Sequence, residues 1–350
     1  MFFLAGLLGM MALGSVAIVS TYSPELDGDA DDQADTPEDD PQELESAPTG
    51  SLFEQMGLIN MPVDGADDEV SEDIHQQPEP GSIAVGTDEA DTMTGTDATD
   101  LMGGMDGDDL LDGGADTDEL RGGDGDDTLL GGEGDDSLHG EAEDDAMYGD
   151  AGDDTLFGHE GEDSLFGGDG DDELQGGLDS DALYGEGDDD ALHGREGDDT
   201  LDGGLGYDTL FGGWDNDLLN GVVRGADGTD IDQMDFLNGG DGDDTIGTGA
   251  GDIVSGGAGA DVLVLGDWIV DEAAELADFD NAEDQIVIVY DDTDGGPDPE
   301  LEIRPMEGDP ELTEILVDGV VLTVLPTEDA PTMDQIVLVG ESAAGDMAFG

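Results

Sequence analysis

The chain has 350 residues, of which 97 are Asp or Glu and four are Arg, with no Lys, so its formal net charge is −93 at pH 7. Nucleic acid is excluded as a partner, because phosphate binding requires clustered cations; the lack of Cys excludes a disulfide framework, a thiolate metal site and a redox pair. Gly supplies 60 of the residues, about 17% against the ~7% of ordinary soluble proteins, a skew that signals a repeat or disorder.

Residues 1–20, MFFLAGLLGMMALGSVAIVS, carry no charged side chain. As a helix at ~1.5 Å per residue they span about 30 Å, the thickness of a bilayer hydrocarbon core. An uncleaved N-terminal membrane anchor is expected. A removed signal is the alternative: Ser15-Val16-Ala17 is a small-x-small cleavage site, although the cationic n-region is missing. From Thr21 to Val85 there are 19 acids, seven Pro and no Lys or Arg. Such a composition cannot bury enough apolar surface to offset chain entropy, and the segment reads as a disordered acidic linker. Within it, Asp27 to Glu38 imitates a calcium-binding helix-loop-helix loop, but Asp32 stands where Gly is needed and Pro37 would break the exiting helix. Ser51 to Met61 is an apolar island, read as an unstructured patch rather than a contact helix.

Residues 86–247 divide into 18 consecutive nonapeptides with no insertion or deletion. The first position is Gly in 17 of 18, the sixth is Asp in 17 of 18, and the eighth is Leu, Met or Ile in 17 of 18. GGDGDDTLL (122–130), GGEGDDSLH (131–139), GGDGDDELQ (167–175) and GGDGDDTIG (239–247) are the best copies, and GGAGADVLV (256–264) closes the array. Each unit is predicted to hold six turn residues and three strand residues. Glycines at positions 1, 2 and 4 allow tight reversal, and the following triplet sends position 8 to one face. Two turns and two short strands then make one 18-residue coil, with Leu111, Leu129, Leu138, Leu156, Leu165 and Leu174 filling a thin interior. Acidic turns stacked at ~4.8 Å repel strongly unless a cation intervenes. Ca²⁺ suits them best, since it accepts six to eight oxygens in flexible geometry.

The pattern GGxGxDxUx, with U a large apolar residue, resembles the haemolysin-type calcium-binding repeat of the RTX (repeats-in-toxin) proteins. The resemblance covers residues 86–264. It implies an all-β chain: a parallel β-roll solenoid with several Ca²⁺ ions held between turns on the same edge of adjacent coils. Carried to this sequence, the ligands are the sixth-position carboxylates Asp109, Asp127, Asp136, Asp145, Asp154, Asp163, Asp172, Asp181, Asp190, Asp199, Asp208, Asp244 and Asp261, with carbonyls near Gly123, Gly125, Gly132 and Gly134. Asp136, Asp154 and Asp172 form the cleanest same-edge series. Units 221–229 and 230–238 depart from the pattern, with Arg224 in a turn-glycine position, so an ion-free defect or looped-out segment that could split the ladder is expected there. Asp116, Asp179 and Asp215 at the fourth position imply altered turn geometry. The units at 86 and 95 lack paired glycines and read as a weakly binding cap.

Beyond Val264 the period stops. Strands are expected at Ile286–Tyr290, Glu314–Val317, Val320–Val324 and Gln335–Val339, with Asp318-Gly319 as a hairpin turn. Residues 265–350 therefore read as a small β cap over the end of the roll. The run from Asp278 to Ile286 looks like the segment that closes many RTX rolls, and the resemblance adds a type I secretion signal in the tail.

No HExxH, GxSxG, P-loop or dinucleotide fingerprint occurs. His75, His139, His159 and His193 form no local metal-ligand pattern and read as neutral surface or turn residues. No enzyme is expected. Tyr148, Phe166 and Tyr184 recur at the ninth position of alternate units, either as a stripe for a partner or for self-association, or simply as cross-strand support. The leading expectation is a calcium-binding structural protein, secreted from or displayed on a bacterium, whose repeats fold on binding the ion. The alternative is an adhesin or matrix protein using the roll as a spacer. An ice-binding roll would need a regular Thr row, and the second position holds Thr only at Thr87 and Thr96 in the array.

Overall fold

The computed structural model describes residues 81 and 83–344, apart from 227, 271 and 293–297. The expected anchor, the calcium-loop imitation, the apolar island and the last six residues lie outside the described residues, as does the linker up to residue 80.

Successive nonapeptides alternate between two parallel stacks, a 14-stranded and a 12-stranded sheet. Each strand pairs with the one two units away: Leu156 lies beside Leu174 in one sheet, and Leu165 beside Leu183 in the other. Position 8 is the sole residue of its triplet that points inward, and its leucines from Leu111 to Leu219 are fully buried. The coil of 18 residues, the parallel roll and the thin leucine interior all follow the periodicity.

Turn and strand divide differently from the expectation. Strands run six residues, as in Thr128–Glu133 and Ser137–Ala142, so positions 7, 8 and 9 continue through positions 1, 2 and 3 of the next unit. Only positions 4 to 6 turn. The first-position glycine belongs to the strand because nothing larger fits: a Cβ at Gly131 would lie 2.6 Å from Asp136 Oδ2 and 2.9 Å from the Gly149 carbonyl. At position 4 the expected change in turn geometry is present. Asp116, Asp179 and Asp215 have φ of 72°, 70° and 75°, against 135° and 138° for Gly125 and Gly134.

The roll begins at Ile83–Val85, which pairs with Leu101–Asp106, so these three residues belong to the first coil and not to the linker. The irregular stretch does not split the ladder. Leu210 pairs with Leu237, a step of 27 residues in place of 18, and the sheet resumes at once with Phe236–Asp241. One nonapeptide's length is looped out while both sheets continue past it. Unit 230–238 keeps Asp235 and Leu237 buried, which is why it re-enters the array.

The C-terminal strands are Ala274–Asp278, Gln285–Tyr290, Leu301–Met306, Asp309–Val317, Val320–Pro326 and Ile336–Gly340. They extend both sheets of the roll rather than forming a separate layer. The Asp318-Gly319 hairpin is present, with φ of 49° and 86°, and its strands end one sheet as an antiparallel meander. Apolar residues widen here, so Trp268, Ile269, Phe279, Ile286, Ile288 and Ile315 fuse with the leucine column into one core.

Candidate metal centre: columns of buried aspartate

The last turn residue of each unit, at position 6, is held where the chain enters its strand, and its carboxylate points back into the turn. One oxygen is fully used. The backbone N–H of each such Asp donates to Oδ1 of the Asp one coil further on: Asp109 to Asp127 at 2.7 Å, Asp127 to Asp145 at 2.8 Å and Asp145 to Asp163 at 2.9 Å. The opposite edge repeats this, with Asp118 to Asp136, Asp136 to Asp154 and Asp154 to Asp172 each at 2.7 Å. Two continuous ladders result. Both bridge the looped-out stretch, through Asp208 to Asp235 and Asp217 to Asp244 at 2.8 Å each.

The second oxygen, Oδ2, is buried without a hydrogen-bond partner from Asp109 to Asp217 at nine-residue steps, and again at Asp235, Asp244 and Asp261. A buried acceptor without a donor is costly, and a buried charge more so. The hollow it faces also receives the first-position carbonyl of the next coil; beside Asp136 this is Gly149. The carbonyls of Gly114 and Gly134 face Gly132 and Gly152, the same-position residues of the next coil. The fit to a hard cation is good: oxygen donors only, orphaned, and stacked in register.

Burial pushes these carboxyls well above the ordinary range, and neighbouring carboxylates add to the effect. Asp127, Asp163, Asp172, Asp199, Asp208, Asp244 and Asp261 rise to about 6, Asp154 to about 7, and Asp145, Asp181, Asp190 and Asp217 to about 8. Asp109 and Asp136 are also raised by burial. A parallel column of exposed fifth-position acids flanks the buried one, with Asp144 Oδ1 accepting from Glu162 N at 2.9 Å and Asp171 Oδ1 from Asp189 N at 3.1 Å.

The first two units differ in a way that matches their missing glycines. Thr96 supplies its N–H at 2.8 Å and its hydroxyl at 3.0 Å to Asp100 Oδ2, and Thr87 does the same for Asp91 at 2.7 and 2.9 Å. There the second oxygen already has donors.

Members of the ladders that were not named as ligands from the sequence are Asp91, Asp100, Asp118, Asp217, Asp235, Asp252 and Asp284. The nine-residue step pointed to the first five. Asp252 and Asp284 lie off the period, but Asp235 N and Asp261 N reach them at 3.0 and 3.1 Å. The looped-out stretch contributes as well. Instead of a plain defect, it brings Asp232 to Asp208 and Asp235, three carboxylates with donor atoms within 4.8 Å of one another. Burial and the Asp252 charge raise Asp235 to about 10.

An all-β parallel solenoid whose turns carry columns of orphaned carboxylate oxygen defines a class of cation-organised repeat proteins. The RTX calcium-binding nonapeptide repeat matches residues 85–120, 121–156, 157–192, 193–221, 235–252 and 246–267, passing over the looped-out stretch. The chain is therefore an RTX repeat protein, and its β-solenoid is a structural, non-catalytic kind of domain. No curated protein matches the chain.

Proposed function

We propose that residues 83–344 form a calcium-dependent folding module of a secreted or surface-displayed bacterial protein, with the sixth-position aspartates and turn carbonyls such as those near Gly123, Gly125, Gly132 and Gly134 as ligands and no catalytic role. The observation that carries this reading is the unpartnered Oδ2 column, which is hard to keep buried as a row of anions and becomes favourable once divalent ions bridge it. RTX repeats are typical of secreted bacterial proteins, where external calcium is abundant. In calcium-poor cytosol the chain would stay expanded, and on export it would condense, because ligand-binding free energy is also folding free energy. Among the described residues no helix is long and apolar enough to cross a membrane; tethering would fall to residues 1–20.

The direct test is circular dichroism during a calcium titration in EGTA-treated protein. Gain of β signal with calcium and not with magnesium supports the reading. Unchanged disorder at about 10 mM calcium, above the range of even weak extracellular sites, or a compact, protease-resistant chain in excess EGTA would overturn it.

A further inference from the structure

Three of the four histidines, His139, His159 and His193, and two of the four arginines, Arg121 and Arg195, lie on the outer face of the 14-stranded sheet, in a chain otherwise dominated by acids. The sheet register explains how two of them meet. His139 occupies position 9 of its unit, Glu141 position 2 of the next, and Glu141 pairs with His159 on the neighbouring strand. One ligand atom from each of His139, Glu141 and His159 lies within 4.8 Å of the other two.

We propose that His139, Glu141 and His159 form a site for a borderline divalent transition-metal ion of the zinc class, separate from the calcium ladders. The donor set decides the class: two imidazole nitrogens and one carboxylate suit Zn²⁺ and its neighbours, whereas Ca²⁺ takes oxygen alone. The spacing agrees. His139 Nδ1 and His159 Nε2 are 3.2 Å apart, and two nitrogens bound to one tetrahedral ion at ~2.0–2.1 Å stand about 3.3 Å apart. The other ring nitrogen of His139 lies 3.4 Å from Ser137 Oγ, an outer partner of the kind ligating histidines keep, and its ring stacks on Phe157 at 4.9 Å; the ion would replace the Nδ1 to His159 Nε2 hydrogen bond. Arg121 contacts Glu141 Oε1 at 3.2 Å and Glu119 at 3.0 Å, so its charge is already matched. A groove of about 630 Å³ bordered by Glu141, His159, Arg195 and Trp214 admits the ion and water for its remaining positions.

The test uses the full chain in saturating calcium, titrated with Co²⁺ as the spectroscopic probe. One equivalent should give visible absorption that Zn²⁺ removes and further Ca²⁺ does not. His159→Gly is the informative variant, because glycine occupies this strand position in Gly177 and Gly213 and relieves the φ of 84° that His159 adopts. It should keep the calcium-induced fold and lose the band, with affinity down on the order of tenfold or more. His139→Gln serves as a second variant, and His193→Gln should leave the band intact. Absence of a band in the parent, or an equal band in both cluster variants, which would mean cobalt on surface acids only, overturns the proposal.

Discussion

From Asp109 onward, the sixth-position aspartates do two jobs with two oxygens. Oδ1 ties adjacent coils through a backbone N–H, while the buried Oδ2 has no protein donor. Asp154→Asn keeps an acceptor for Asp136 N and removes the carboxylate charge. We expect its calcium affinity to fall on the order of tenfold, because ligand charge count tunes such sites; isothermal titration reads the change. An unchanged titration would show that Asp154 is no ligand. The pH dependence has a definite sign. With no ion bound, the folded roll holds Asp145, Asp181, Asp190 and Asp217 at about 8, against the ordinary carboxylate value of 3.8. Their contribution to stability is thus full below about 4 and lost as pH rises through about 8. Acidification from pH 8 to 5 should therefore weaken calcium binding and raise the calcium midpoint read by circular dichroism, since protons and calcium compete for the same oxygens.

At the scale of the strand, two positions carry the design. The first-position glycine lets the carboxylate lie against the backbone, and Gly131→Ala would force a methyl into Asp136 Oδ2 and the Gly149 carbonyl. Overpacking of this kind costs about 1–3 kcal/mol, and we expect a raised calcium midpoint by circular dichroism, with no such effect from alanine at Gly103, where a Cβ meets nothing within 4 Å. The ninth-position aromatics are a stack: Tyr148 on Phe166 and Phe166 on Tyr184, each with centroids 4.9 Å apart and planes within 7°. Such pairs contribute about 0.5–1.5 kcal/mol each beyond burial. Replacing all three by Thr should lower stability by roughly 1–3 kcal/mol in calcium-saturated denaturant melts, and an unchanged oligomeric state would leave cross-strand support as the role of the stripe. Spacing alone revealed the alternation but placed too much of each unit in the turn, because glycine is equally at home in a tight turn and in a strand too crowded for a Cβ.

Over the whole molecule, the looped-out stretch and the C-terminal strands act together. Arg224 lies over the Trp268 ring at 4.1 Å and pairs with Glu341 at 2.9 Å, while Trp268 Nε1 donates to the Thr248 carbonyl at 2.9 Å. One fully buried tryptophan thus joins the excursion, the last coils and the short helix Glu341–Ala344. Trp268→Ala should cost about 3–5 kcal/mol and expose residues 221–234 to limited proteolysis in saturating calcium. If cleavage there stayed as slow as in the parent, the excursion would owe its order to something else.

The period, the coil length, the apolar column and the demand for a hard cation were all legible in the residues, because a nine-residue motif repeated in strict register can stack in few ways. Tertiary structure alone decided that the register slips from 18 to 27 residues without splitting the ladder and resumes at 17, which C-terminal strands prolong each sheet, and that His139, Glu141 and His159 meet. Those outcomes depend on lateral pairing between strands 17 or more residues apart, and no local pattern along the chain encodes which outward-facing side chains such pairing will bring together.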